Sequence, residues 1–312
     1  MTSNIRKLEH GEIREILARC DQRVIFDKTN VIPDDSELNK SLKEYVGYRK
    51  ITSKSVLGLD IYQYSSYCEF EQTLIPFLFK KIFHSTIKLC LENHPFIFQK
   101  YSREIIEKHF ISTGDGGFII FDNPMHSLLF ASNFAIVLRI YNAFHFYPRL
   151  RKIIGGMSVR YAITYDKIYQ YANNFYGRAI INNARMIASD NLNRCLIGEN
   201  VHSWFTTNME GFENLQVITI DDIANIYEFS QDDYDKSLLN TTTDKLFGKE
   251  PSRREGIINS DILKIGNIKT KQTELNVYNL HLQVSLRLVN DDDPSQEKVV
   301  TVSLGNLNTS GI

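Results

Sequence analysis

Residues 110–121, FISTGDGGFIIF, place two short β-prone runs around a glycine-rich turn, between two long stretches of helical periodicity. Asp-Gly between such runs is a strong hairpin signal, because tight hairpin turns require positive φ angles. A hairpin in that position limits the folds open to the chain. Upstream, SVLGLDIYQY (55–64) reads as an apolar strand, followed at once by FEQTLIPFLFKKIFHSTIKLCLENH (70–94), with Phe70, Leu74, Leu78, Ile82 and Phe83 on one stripe. Downstream come a helical segment over 124–147, the strand MSVRYAITYDKIY (157–169), the helix YGRAIINNARMIASD (176–190) and strands near 215–229. The order strand, helix, hairpin, helix, strand, helix, strand predicts an α+β domain, a sheet with helices packed on it.

Around this domain, assigned to residues 51–232, the chain changes character. Residues 1–50 read as an N-terminal extension with an amphipathic helix (Ile5, Leu8, Ile13, Ile16, Leu17) and the polar stretch KTNVIPDDSELNKS. Residues 233–257 are polar and read as a linker. After it, LKIGNIKT, ELNVYNLHLQVSLRLV and KVVTVSL predict a small β-rich C-terminal module over 258–312.

Composition excludes several functional classes. With 36 basic and 37 acidic residues mixed along the chain, the net charge is −1, and nothing suggests the basic surface of a nucleic-acid binder. Cys20, Cys68, Cys90 and Cys195 lie far apart with no metal-ligand spacing, so neither a disulfide framework nor a zinc site is expected. No apolar run reaches the roughly 18 residues of a membrane span. The expectation is a cytoplasmic protein that contacts neither membrane nor nucleic acid.

Two acids stand out. Asp60 ends the apolar run Val56, Leu57, Gly58, Leu59, at the strand edge where open sheets hold ligands. A carboxylate there needs a partner or a cation, the competing account being a cap on the next helix. Asp115 lies between glycines in the hairpin, where a plain turn role competes. If strand 55–61 lies beside the hairpin, the two acids converge. Two hard carboxylates with room for water and phosphate suit Mg²⁺ or Mn²⁺ and phosphoryl transfer, and the glycines allow close approach of backbone to ligand.

Asp60 in LGLDIYQYSSY, Asp115 in STGDGGF, Arg160 in SVRYAI and YGRAIINNAR at 176–185 follow one another as in the core of class III nucleotide cyclases, which residues 50–230 resemble. The resemblance implies a ferredoxin-like βαββαβ core and a homodimer with composite active sites. It implies two Mn²⁺ or Mg²⁺ ions held by Asp60, Asp115 and the Ile61 carbonyl. It also implies triphosphate binding by the backbone of Tyr62, Gln63, Tyr64, Ser65 and Ser66, in keeping with helix N-termini as anion sites. The transition-state arginine matches Arg185, eight residues after Gly177. A permanently charged guanidinium suits that task.

The chain departs from adenylate cyclases where the base is read. The adenine-reading lysine falls on Ile111 and its partner aspartate on Asn174. The transition-state asparagine falls on Ile181, with Asn182 and Asn183 adjacent, Asn182 being the candidate, and QVITIDDIANIYEF holds no clear match to the late triphosphate-binding lysine. Either the site is degenerate or it takes another base. The C-terminal DILKIGNIKTKQTELNVYNLHLQVSL resembles the sensor-like module behind Pycsar-type pyrimidine cyclases of bacterial anti-phage systems. An amide at Asn174 and an apolar Ile111 suit uracil or cytosine. Tyr45, Tyr48, Tyr62 and Tyr64 are candidates for narrowing the pocket, with ordinary packing the competing account of each. The implied product is cyclic UMP or cyclic CMP, signalling to a separate effector. An adenylate or guanylate cyclase and a catalytically dead nucleotide sensor are the alternatives. A diguanylate cyclase is disfavoured because TGDGGF lacks the adjacent acid of its hairpin.

Overall fold

The structure is a computed structural model that describes residues 51–171, 174–208, 256–269, 274–289 and 297–306, together with Gly11, Glu15, Lys40, Ser310 and Ile312. The chain divides into two compact units, residues 1–51 and 52–312. The expected N-terminal helix, Tyr45 and Tyr48, the strands near 215–229 and the linker as far as residue 255 lie outside the described residues.

In chain order the elements are β1 (Ile51–Ile61), a 3-10 turn (Tyr64–Ser66), α1 (Glu69–Asn93), α2 (Arg103–Lys108), β2 (Phe110–Ser112) and β3 (Gly116–Phe121). There follow α3 (Pro124–Asn142), α4 (Pro148–Ile154), β4 (Val159–Tyr171), β5 (Asn174–Gly177), α5 (Arg178–Ser189), β6 (Cys195–Gly198) and α6 (Glu199–Asn208). Three long strands complete the described chain, β7 (Gly256–Lys269), β8 (Glu274–Val289) and β9 (Glu297–Leu304). All nine strands join one sheet of order β2-β3-β1-β4-β6-β8-β7, with β5 on β4 and β9 on β8. The fold is α+β, and its first four strands with α1 and α3 make a βαββαβ unit.

Strand alternation divides the core into two faces. Leu57, Leu59 and Ile61 point with Ile119, Phe121, Tyr161 and Ile163 into the larger core, which α1 and α3 cover with Phe79, Phe83, Phe130 and Phe134. On the other face α5 lies over Val56, Ile120, Ile168 and Ala162 through Ala179, Met186 and Ile187. Helix α3 begins where Asn123 accepts the His126 N–H (3.2 Å) ahead of Pro124, the side-chain cap and first-turn proline that start helices.

Helix α1 differs from expectation at one end. Phe70 is 64% exposed, and the buried stripe is Ile75, Leu78, Phe79, Ile82, Phe83, Ile87 and Cys90. Phe70 lies two turns and a fraction before Leu78, roughly 80° around the helix, which carries it off the core face.

Residues 258–304, read as a small β-rich module, are β-rich, and their strands extend the same sheet: Cys195 pairs with Leu280 and Gly198 with Val277. Leu280, Leu282, Val302 and Leu304 are buried in the same core as Leu57 and Phe134. No helix of the described residues is long and apolar enough to cross a membrane.

Candidate active site

Asp60 and Asp115 meet through the β1–β3 ladder. The strands are antiparallel with Leu59 opposite Gly117 and Asp60 opposite Gly116. One step further the Ile61 N–H donates to the Asp115 carbonyl at 2.9 Å. The glycines explain how the hairpin comes so close. At Gly116 a β-carbon would lie 2.0 Å from the Leu59 carbonyl oxygen, and the positive φ of the turn falls on Gly114 at 99°. Asp115 is therefore relieved of the turn geometry, and its Oδ1 accepts only the Thr113 hydroxyl, at 3.2 Å, among the described residues.

Alternation along β1 turns Asp60 toward the α5 face, away from Leu59 and Ile61. Its side chain is 17% exposed and pairs with Arg160 at the start of β4, 21% exposed. Arg160 donates from Nε (2.7 Å) and Nη2 to Asp60 Oδ2, and from Nη1 to the Asp190 carbonyl, while its guanidinium lies 5.9 Å from the Tyr62 ring centroid. Burial raises the Asp60 pKa above the ordinary carboxylate value; the charge of Asp115 acts in the same direction and Arg160 opposes both. The helix-capping account of Asp60 fails, since the 3-10 turn is capped by Gln63 and α1 by Cys68.

The turn after Asp60 is partly committed to the fold. The Tyr62 N–H donates to the Ser158 carbonyl and the Ser66 N–H to the Gln63 carbonyl, both at 2.9 Å. Gln63 sits at φ 56°, which bends the chain into the 3-10 turn. Of the five residues expected at a triphosphate, Gln63, Tyr64 and Ser65 have backbone N–H groups that make no such loop bond among the described residues. The hydroxyl of Tyr62 donates to the Asn191 carbonyl (3.1 Å) and that of Tyr64 to the Gln72 carbonyl (3.0 Å), so both rings brace the fold.

Helix α5 carries the next set. Arg185 is solvent-exposed, and among the described residues its guanidinium has no acidic partner. Ile181 is 52% exposed, and Asn182 is half-buried beside Asp166 and Arg178. Asn183 is fully buried and structural: its Nδ2 donates to the Val56 and Ala162 carbonyls, both at 2.8 Å, tying β1 to β4. Ile111, on β2, packs with Phe118 and Ile180 against Phe175, and exposed Asn174 adjoins that cluster with its Oδ1 accepting the Phe175 N–H at 2.8 Å. The structure thus brings Asp60, Ile61 and Asp115 together and sets Ile111 and Asn174 beside one apolar cluster. It leaves Arg185 facing solvent, making no contact with either acid.

Sequence reasoning missed the bond from Arg160 to Asp60 and the pair behind it, Asp190 and Arg194. Asp190 and Arg194 lie past the end of α5 at Ser189, in the turn before β6, where no local periodicity marks them as a pair.

Chemically, Asp60, Asp115 and the Ile61 carbonyl form a set of hard oxygen donors that fits Mg²⁺ or Mn²⁺, ions that complete their shells with water and phosphate. Among the described residues no group of three or more His, Cys, Asp or Glu forms a protein-only cage. A cleft of about 590 Å³ runs from Leu138, Arg139 and Asn142 to His281 and Asn306, and neither acid lines it.

No family profile matches the chain, and no curated protein matches it. Among solved structures it is similar to the adenylate/guanylate cyclase/hydrolase from Silicibacter pomeroyi, at 13% identity over 74% of this chain and 96% of that one, TM-score 0.38. It is similar to the adenylyl cyclase CyaB from P. aeruginosa at 10% identity over 74% and 95%, TM-score 0.41. The third comparison is the dimeric guanylyl cyclase domain of the RhoGC fusion protein from Blastocladiella emersonii, at 11% identity over 74% and 97%, TM-score 0.37.

Proposed function

We propose that this chain is a divalent-cation-dependent nucleotide cyclase that converts UTP or CTP to the 3′,5′-cyclic monophosphate and pyrophosphate, the product being a signal to a separate effector in bacterial anti-phage defence. The observation that carries the reading is the convergence of Asp60 and Asp115, held in register by the bond from Ile61 N–H to the Asp115 carbonyl at 2.9 Å.

In this reading Asp60, Asp115 and the Ile61 carbonyl hold the cations. Bound there, divalent cations supply activation of the ribose 3′-hydroxyl and neutralise charge on the departing pyrophosphate. The 3′-oxygen forms its bond to the α-phosphorus as the bond to pyrophosphate breaks, and the hydroxyl proton passes to solvent. With a cation on Asp60, the Arg160 guanidinium would be released from that carboxylate and its charge would be free to face phosphate oxygens. The N–H groups of Gln63, Tyr64 and Ser65 lie next along the chain. Arg185 comes from a second copy, so that a homodimer builds two composite sites. Ile111 and Asn174 receive the base, and Asn182 is the candidate to assist the transition state. Residues 51–232 carry these groups, and the strands from residue 256 extend their sheet.

The test is incubation of the purified chain with each of the four nucleoside triphosphates and Mn²⁺, with chromatographic identification of the product. Cyclic UMP or cyclic CMP supports the reading; cyclic AMP or cyclic GMP as the main product replaces it with a purine cyclase. One observation favours a second reading, a nucleotide sensor without turnover: Arg160 already neutralises Asp60. That reading expects nucleotide binding with no product from any triphosphate.

A further inference from the structure

Arg194 is the largest fully buried side chain among the described residues, a charged group in a place where charge is costly unless every donor is satisfied. It is satisfied in an unusual way. Its Nε donates to Asp190 Oδ1 at 2.8 Å and its Nη2 lies 2.7 Å from the same oxygen, while Nη1 donates to the Ser310 carbonyl at 2.6 Å. The backbone N–H groups of Leu192 (3.2 Å) and Arg194 (3.3 Å) close on the two oxygens of Asp190. These bonds fix the turn between α5 and β6 from inside. Asn306 adds a further tie from the segment after β9, donating to Asn193 Oδ1 at 3.2 Å. The carbonyl of Asp190, outside that knot, is the one that receives Arg160 Nη1, and Arg160 in turn holds Asp60.

We propose that Asp190 and Arg194, locked by the carbonyl of Ser310, are positioning residues for Arg160: they hold the Asp190 carbonyl where it keeps the Arg160 guanidinium on Asp60, and so set how readily a cation displaces it. The contacts form one path, from the Ser310 carbonyl through the Arg194 and Asp190 side chains, the Asp190 carbonyl and the Arg160 guanidinium to Asp60. A buried ion pair with both partners under 3% exposed carries the cost of two desolvated charges, and here the Asp190 carboxylate also holds the Leu192 and Arg194 N–H groups of the turn that carries the Asp190 carbonyl. In its consequence for cation entry the proposal rests on the reading of Asp60 as a cation ligand.

The test uses the full chain labelled with ¹⁵N-arginine, with the Arg160 Nε–H resonance assigned by its loss in Arg160→Lys. In the parent that proton is expected to be protected from solvent exchange. Arg194→Lys, which keeps the charge and loses the fork, and Asp190→Asn, the milder change, are each expected to speed its exchange at least tenfold in protein that still melts cooperatively. Mn²⁺ binding, read from the free-ion spin-resonance signal, is expected to tighten severalfold in both variants and to show no such gain when either change is made on an Arg160→Ala background. Unchanged Arg160 protection in the folded variants, or an equal gain in Mn²⁺ affinity without Arg160, overturns the proposal. A parent that binds no Mn²⁺ defeats the cation-site reading instead, and the Arg160 exchange rates then decide the positioning role alone.

Discussion

The N–H of Ile61 and the carbonyl of Asp115 are joined at 2.9 Å, one step beyond the Asp60–Gly116 pair of the β1–β3 ladder. Any shift of this register by one residue would turn Asp60 into the apolar core and Leu59 toward α5, since neighbouring side chains alternate across a strand. The core residues Leu57, Leu59 and Ile61 thus hold the carboxylate in place.

Asp60→Asn and Asp115→Asn are each expected to reduce Mn²⁺-dependent turnover below detection. Asp115→Asn should change unfolding free energy by no more than about 0.5 kcal/mol, because among the described residues its carboxylate accepts only an exposed hydroxyl. Steady-state product assays and urea titrations of the two variants check this pair of outcomes.

Arg185→Ala is expected to lower turnover by about a hundredfold or more, the scale of one lost preorganised donor. Since Arg185 meets neither acid within its own chain, mixing Arg185→Ala with Asp60→Ala protein should restore activity through heterodimers with one intact site. Mixtures no more active than either variant alone would count against the composite arrangement.

Gly58→Ala is expected to destabilise the fold by about 2 to 3 kcal/mol. A β-carbon at Gly58 would stand 2.0 Å from Asn183 Oδ1 and 2.5 Å from Ile187 Cδ1. Asn183→Ala should cost about 1 to 3 kcal/mol by removing the amide that donates to two buried carbonyls, whereas half-buried Asn182→Ala should leave stability nearly unchanged. Chemical denaturation distinguishes them: a lower midpoint for Asn182→Ala than for Asn183→Ala would reverse the assignment.

His94, 3% exposed at the end of α1, has its pKa lowered by burial from the ordinary histidine value of 6.5 to about 4. The unfolded chain therefore takes up this proton before the folded one does, and the stabilisation present above pH 6.5 is lost as pH falls toward about 4. The loss amounts to about 3 kcal/mol at completion. In His94→Gln the drop in unfolding free energy between pH 7.5 and pH 4 should be smaller by about that amount, measured by urea titration at both values. An equal drop in both proteins would show that His94 does not titrate on unfolding.

Much of the element order was legible in the sequence, and for local reasons. The hairpin over 110–121, the strand ending at Asp60, and helices α1 and α5 each follow from periodicity within a dozen or so residues. The same periodicity puts Phe70 on one stripe with Leu78 and Ile82, because spacing alone does not tell where the sheet lies beneath the helix. It set strands β7–β9 apart as a module of their own, because no local pattern tells a strand which neighbour it will join; β6 supplies that neighbour through Cys195 and Leu280.

Which residues could form strands and helices, and that two acids would stand at strand ends, was legible in the chain itself, since both depend on short-range alternation and turn chemistry. What those acids touch depends on long-range packing. Arg160 reaches Asp60 across 100 positions of chain, Asn183 reaches the Val56 carbonyl across 127 and Arg194 reaches that of Ser310 across 116. Such partners are chosen by strand order and helix placement, where burying the whole core outweighs the preference of any single side chain.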